Sequence, residues 1–328
     1  MVNQKTIADE LGVSVMTVSR ALRNHPDLSQ ATKDRIISKA VDLGYTKIPA
    51  QTGKSFVKRA GLFMCQDDAM SSVLNSGVSK QIFMSIEEEC RKHQIEVVVQ
   101  VLKPGDNPVS VKNKTIDAAF LLGRYTVETA ANFSSLPTVA VSSFIAGLNI
   151  PCVTADNQEG ARLATQHLLD LGHRDIVFAG QDQGALTEIF RVRSEGYALA
   201  MIQNGLKPVT VFNKQGGNLA DIMPYILKST GVVCSSDSLA IDIKQQLTEQ
   251  GLRVPEEISI AGFDNLENTG EEPGNEVITT YAPNWAQLGH MGVDLLIFQP
   301  LELLKLPFKL IVPGKLLIRK STGPVRKS

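Results

Sequence analysis

Apolar positions in the first 45 residues recur with a helical period, whereas from residue 59 onward short apolar runs alternate with amphipathic stretches. Ile7, Ala8 and Leu11 share one side of a short helix over residues 7–11, with Thr6 as its cap and Gly12 as its stop. Ser14 caps a second helix whose Val18, Ala21 and Leu22 face inward, leaving Val15, Met16, Thr17, Ser19 and Arg20 on the outer surface. Small Ala8 and Ala21 let the two helices approach closely. Ser29 then caps a third helix, with Ala31, Ile36, Ile37, Ala40, Val41 and Leu43 as its apolar stripe and Gly44 as its end. A plain helical hairpin satisfies the first two helices. The third closes a small core over them, the arrangement of a helix-turn-helix head.

The later rhythm predicts strands at 61–64, 97–101, 118–122, 138–141, 175–179, 209–212, 232–234 and 259–263. Helices are predicted between them at 80–93, 158–171, 191–204 and 238–250. Continuous Val/Ile-rich strands separated by helices predict parallel sheets covered on both faces. Ligands of such sheets bind beyond the carboxyl ends of the strands, where strand order reverses.

Charge sharpens the division. Residues 1–59 carry ten Lys/Arg against five acidic residues, a net of +5, leaving −6 for the remainder of a chain with 33 basic and 34 acidic residues. A basic head on an acidic body suits a polyanion partner. Cys65, Cys90, Cys152 and Cys234 are scattered singly without metal-ligand or redox spacing, so buried thiols are expected, with no metal and no cofactor. No run reaches the ~20 apolar residues that span a bilayer, so a cytoplasmic protein is expected.

Thr6-Ile7-Ala8, Gly12-Val13-Ser14, the run from Thr17 through Arg20 to Leu22, Ser29, Thr32, Arg35 and Leu43-Gly44-Tyr45 together resemble the lactose/galactose-repressor family of bacterial transcription regulators. The likeness continues through Asp156-Asn157, Gly172-His173-Arg174, Arg193 with Gly196-Tyr197, Ser236-Asp237, Gly262-Phe263-Asp264-Asn265, Thr279-Thr280 and Arg319-Lys320-Ser321. It implies a small all-α helix-turn-helix head plus an α/β body of two doubly wound parallel-sheet lobes of periplasmic-binding-protein type. The expected boundaries are 1–46 for the DNA-binding head, 47–59 for the linker and 60–328 for effector binding and dimerisation. Within the body, lobe 1 takes about 60–155 and 283–310, and lobe 2 about 156–280 and 313–328. The chain would cross between lobes near 154–157, 280–284 and 310–313. A homodimer, an approximately palindromic DNA operator and a small-molecule effector are the implied partners.

By the family pattern Val15, Met16 and Arg20 read the major groove. Arg20 is able to donate two hydrogen bonds to guanine, and Val15 and Met16 offer apolar contact, most naturally to a thymine methyl. The hydroxyls of Thr6, Ser14, Thr17 and Ser19 are placed for phosphates. The linker departs from the family: it contains Gly53 and lacks the leucine that relatives wedge into the minor groove. Ile48 or Phe56 as a substitute wedge and a flexible basic tether both remain open.

Effector contacts implied by the resemblance are Arg193 and Asp264, able to bracket the vicinal hydroxyls of a sugar between a donor and an acceptor. A salt bridge between the two is the structural alternative. Phe212 aligns with an aromatic that stacks on effectors, or else is core. Asp156 and Arg124 stand beside the cleft, and Ser236 replaces an amide by a hydroxyl. Few stacking rings favour a sugar or sugar derivative over a purine or pyrimidine.

The leading function is a ligand-controlled transcriptional regulator of repressor type. Two rivals are an enzyme on a doubly wound sheet, sugar- or nucleotide-dependent, with an accessory DNA-binding head, and a ligand-binding protein without DNA activity. Neither phosphate-cradling glycine motif is present, and the five histidines at 25, 93, 167, 173 and 290 lie far apart, so no catalytic residue is expected. The intact run from Thr17 to Leu22 argues against a vestigial head.

Overall fold

The computed structural model describes residues 3–22, 25, 27–43, 45, 57–65, 77–123, 125–142, 145, 147–181, 187–214, 219–266, 278–299 and 303–326. The head consists of α1 (Gln4–Leu11), α2 (Val15–Leu22) and α3 (Gln30–Asp42), closed over Ile7, Ala8, Val18, Ala21, Leu22, Ile36, Ala40 and Tyr45. Its first helix begins earlier than the apolar pattern predicts. Asn3, not Thr6, is the cap: the Asn3 side chain accepts from the Thr6 amide at 3.0 Å, and the Thr6 hydroxyl accepts from the Asn3 amide at 3.5 Å. Polar residues ahead of Ile7 hid that first turn from hydrophobic periodicity. Gly12, at φ 66°, turns the chain in the left-handed region, and its amide donates to the Ala8 carbonyl. Arg35 crosses from α3 to donate to the Leu11 carbonyl at 3.1 Å, fixing the end of α1.

The body alternates strand and helix in two rounds. The first runs β1 (Arg59–Cys65), α4 (Gly77–Lys92), β2 (Glu96–Leu102), α5 (Val109–Lys112), β3 (Ala118–Gly123), α6 (Val127–Ala131), β4 (Thr138–Val141) and β5 (Cys152–Ala155). The second runs α7 (Asn157–Asp170), β6 (Ile176–Gln181), α8 (Thr187–Gln203), β7 (Val209–Asn213), α9 (Met223–Ile226), β8 (Gly231–Cys234), α10 (Asp237–Glu249), β9 (Ser259–Phe263) and β10 (Thr279–Ala282). The chain then returns through α11 (Trp285–Phe298) and β11 (Lys309–Val312) before ending at β12 (Lys315–Leu317).

Among the described residues the strands form two sheets, ordered β11-β5-β4-β3-β1-β2 and β12-β10-β9-β8-β6-β7. Both share one winding, reversing direction between β1 and β3 and between β6 and β8. Buried apolar clusters cover both faces of each sheet, and all pairings are parallel except β10 with β12. That exception departs from the all-parallel expectation for a simple reason. β10 leaves its sheet through the end where the lobes meet, and β12 enters from that same end, so the two must run in opposite senses.

The lobes are joined at residues 155–157, 282–285 and 312–315. At the third junction the Gly314 amide donates to the Tyr281 hydroxyl at 2.6 Å, and the Asp156 amide donates to the Val312 carbonyl at 3.1 Å. Among the described residues no helix is long and apolar enough to cross a membrane.

Candidate DNA-reading helix and interlobe site

α2 carries the candidate DNA-reading residues. The Ser14 hydroxyl caps it by accepting from the Thr17 amide at 3.0 Å, and it also pairs with the Thr17 hydroxyl at 2.8 Å. Val18, Ala21 and Leu22 hold the inner face, while Val15 and Met16 stand 44% and 62% exposed and Arg20 is exposed. Two adjacent exposed apolar side chains on a short helix are unsatisfied by the head's own core. Ser19 corrects the sequence expectation of an outward hydroxyl. It is buried, because its position one turn before Leu22 carries it toward the inner stripe. Thr6 is half-buried, with its hydroxyl already engaged in the α1 capping box. The linker over residues 47–59 lies outside the described residues up to residue 56, and with it the question of a hinge helix.

In the body, Arg193 is the organising side chain. It projects from α8 to the carboxyl ends of β8 and β9 and is 4% exposed. Its Nε donates to Asn157 Oδ1 at 2.9 Å, and its Nη1 donates to the Ser235 carbonyl at 2.5 Å and to Asp264 Oδ1 at 3.1 Å. The guanidinium lies over the Phe263 ring at 3.5 Å from its centroid. Burial pulls the Arg193 pKa down, and the adjacent Asp264 carboxylate opposes that pull. Burial likewise pushes Asp264 up against the restraint of Arg193. The sequence alternatives therefore coincide in one object: the pair is a salt bridge, and it sits where an open α/β sheet binds ligand.

Asp264 is held on every side. Its φ of 113° is a conformation that L-residues rarely adopt, followed by Asn265 at 55°. The Asp264 amide donates to the Tyr281 carbonyl at 2.9 Å, and the Asp264 carbonyl accepts from Trp285 Nε1 at 2.8 Å. Backbone strain of this kind persists only where surrounding contacts enforce it.

Several residues at this site went unrecognised in the sequence. Asp237 opens α10, is 2% exposed, and accepts from the Leu266 amide through Oδ2 at 2.9 Å. Its Oδ1 has no hydrogen-bond partner among the described residues. Burial, reinforced by the Asp264 charge, pushes its pKa up to about 7. The Ser235 hydroxyl is enclosed and also without a hydrogen-bond partner among the described residues. Asn157 links Arg193 to the first lobe by donating to the Ala155 carbonyl at 3.1 Å. The available signal was an acid directly after a serine cap at the end of a buried strand.

The remaining candidates are placed differently. Asp156 and Ser236 both spend their side chains as helix caps, accepting from Glu159 at 3.1 Å and from Leu239 at 3.3 Å. Both were expected to face ligand; the helix starts behind them claim their oxygens instead. Phe212 is half-buried and packs on the bare backbone of Gly180, 6.1 Å from the Phe178 ring. Arg124 lies outside the described residues.

Residues 5–47 match the family model "Bacterial regulatory proteins, lacI family", and residues 165–322 match "Periplasmic binding protein-like domain". The chain is 26% identical over 319 residues to the ribose operon repressor of Haemophilus influenzae, covering 90% of this chain and 91% of that one. It is 28% identical over 316 residues to the HTH-type transcriptional repressor CytR of Escherichia coli K12, covering 90% and 89%. Among solved structures, the transcriptional regulator CelR–cellobiose complex shares the fold at a TM-score of 0.67 and 19% identity, covering 98% of this chain and 100% of that one. The lac repressor dimer bound to operator and the anti-inducer ONPF does so at 0.64 and 20%, covering 98% and 99%. These curated relatives are repressors, which removes the enzyme alternative. With a helix-turn-helix head on two lobes of periplasmic-binding-protein type, the chain belongs to the lacI family of bacterial regulatory proteins and is a transcription regulator.

Proposed function

We propose that this regulator is a cytoplasmic, homodimeric repressor that reads an approximately palindromic operator and answers to a sugar or sugar derivative bound between its lobes. On the DNA side, Arg20 donates to guanine while Val15 and Met16 pack against thymine methyls. The Ser14 and Thr17 hydroxyls position the helix on phosphates. Two heads related by dimer symmetry then read two half-sites.

One observation carries the ligand assignment. Arg193, Asp264 and Asp237 converge at the carboxyl ends of β8 and β9, with one Asp237 carboxylate oxygen and the Ser235 hydroxyl without a hydrogen-bond partner among the described residues. A polyhydroxylated ligand supplies both donors and acceptors to such a group, whereas a flat base needs stacking rings. The Phe190 and Phe263 rings flank Arg193 instead. The ribose operon repressor and the cellobiose complex among the similar proteins favour the same class.

A thermal-shift screen of the full chain against monosaccharides, disaccharides and nucleosides tests this. A sugar that raises Tm in a concentration-dependent way, and loses its effect in Asp264→Asn, is the expected result. Stabilisation by nucleosides alone would overturn it.

A further inference from the structure

Outside the interlobe site, two helices of the first lobe bring together residues that the sequence keeps 200 positions apart. α4 carries Glu89, with His93 in the turn directly after it, its amide donating to the Glu89 carbonyl at 3.3 Å, and α11 carries His290 and Asp294, four residues apart and so on one helix face. The two helices pack against one another through the lobe core, where Ile82, Ile86, Leu288 and Val293 are buried. One ligand atom from each of Glu89, His93 and Asp294 lies within 4.8 Å of the others. His93 Nε2 is 3.5 Å from Glu89 Oε1, and His290 Nε2 is 4.0 Å from Glu89 Oε2.

The histidine on α11 gives a second, independent observation. His290 Nε2 is shut off from solvent, yet it has no hydrogen-bond partner among the described residues. That nitrogen faces the Glu89 carboxylate across 4.0 Å with its lone pair or proton uncommitted, a position from which it can take a cation. The Phe298 ring packs edge-on against His93 at 5.5 Å, which limits how that imidazole can turn.

We propose that Glu89, His93, His290 and Asp294 form a binding site for a divalent transition-metal cation of the zinc or cobalt class. Two imidazoles and two carboxylates suit such an ion. Ligand atoms around a tetrahedral zinc stand about 3.3 Å apart, since each bond is about 2.0–2.1 Å. Glu89 stands 3.5 Å from His93 Nε2 and 4.0 Å from His290 Nε2, and Asp294 lies within 4.8 Å of Glu89 and His93. The Lys92 ammonium now occupies the charge role, 3.0 Å from Glu89 Oε2 and 3.1 Å from Glu88 Oε1, and the incoming ion displaces it from Glu89. Bound metal staples α4 to α11, the two segments that meet in the first lobe from opposite sides of the second.

The test is a titration of the full-length protein, stripped with chelator, by Co²⁺ and then Zn²⁺. The expected result is one saturable equivalent per chain, visible ligand-field bands of low-coordinate cobalt, and displacement by zinc. His93→Gln and Asp294→Asn should each weaken binding by roughly tenfold or more, judged against the effect of lesser perturbations at metal sites. Lys92→Gln should tighten it. Melting followed by circular dichroism identifies any variant that fails to fold, in which case His290→Gln is read in its place. Three results would overturn the site: no saturable binding, binding unchanged in both ligand variants, or thiolate-to-cobalt charge transfer, which would place the ion on a cysteine.

Discussion

Trp285 Nε1 donates to the Asp264 carbonyl at 2.8 Å, so the indole buried in the core of the first lobe holds the residue that ion-pairs with Arg193 in the second. Movement of one lobe against the other must break or carry along this bond, and with it the strained backbone at Asp264. The site is therefore coupled to lobe geometry through the Trp285 donor on the Asp264 side and through Asn157 on the Arg193 side. A bond that ties the site to the lobe arrangement gives a ligand a means to favour one arrangement over another.

Trp285→Phe keeps most of the packing and deletes that donor. The expected cost is about 1 kcal/mol in urea denaturation, the ordinary contribution of one hydrogen bond. The informative readout is effector response: ligand binding should persist while its effect on DNA affinity shrinks. Unchanged coupling would show that the indole serves packing alone.

Asp264→Asn leaves the Arg193 charge buried without its counterion. Breaking one side of such a pair costs about 3 kcal/mol or more, whereas the double variant Arg193→Met with Asp264→Asn should be milder than the sum of the singles. Denaturation midpoints of the four proteins give the cycle. Strict additivity would mean that the two side chains do not act as a unit.

Asp237 makes stability depend on pH in an unusual sense. Its folded pKa, near 7, lies above the ordinary 3.8, so between those values the unfolded chain is ionised while the folded one keeps its proton. Rising pH then favours unfolding, by up to about 1.4 kcal/mol per pH unit for one proton, and the contribution is fully present below about pH 4 and gone above about pH 7. Asp237→Asn cannot ionise, so its stability relative to the parent should climb across pH 4 to 7. Parallel pH profiles for the two proteins would remove Asp237 as the titrating group.

Gly196 packs against α7 at backbone distance: a Cβ there would lie 1.9 Å from the Gln158 carbonyl oxygen. Gly196→Ala should destabilise by about 2–3 kcal/mol, because overpacking between two helices forces backbone to shift. Differential scanning calorimetry measures it, and a neutral result would mean that α8 slides freely on α7.

Arg20→Ala should cost about 1–3 kcal/mol against a duplex selected from a randomised library, leaving weak, salt-sensitive binding to any sequence. Fluorescence anisotropy at two salt concentrations checks both halves. A variant that still discriminates would move specificity to other residues.

Hydrophobic periodicity located β4 and β9 to the residue, because each is a buried apolar run bounded by polar turns. It was weaker where the polar face of a helix is narrow. α11 buries Trp285, Leu288, Val293, Leu295 and Leu296, and only Gln287, His290 and Asp294 mark its polar side. Asp237 was hidden for another reason: an acid in the first turn of a helix is ordinarily explained by the helix dipole, and only the packed sheet shows that this one is enclosed. Arg193 and Asp264 were legible as residues, but their contact spans 71 positions and is made by tertiary packing alone. His93 and His290 are the extreme case, since nothing in a linear chain relates them.

Each sheet takes an edge strand from the last part of the chain: β11 joins the first, β12 the second, and Ser321 locks the second by donating to the Ile260 carbonyl at 2.6 Å. A ribosome builds such a protein from the amino terminus, so the DNA-reading head emerges with its three helices complete long before either lobe can be finished. For most of synthesis the nascent chain is a head with no sensor, and the first lobe waits for α11 until the whole second round of strands has been made. The edge strands β11 and β12 follow one another within a few residues, so both lobes are completed almost together.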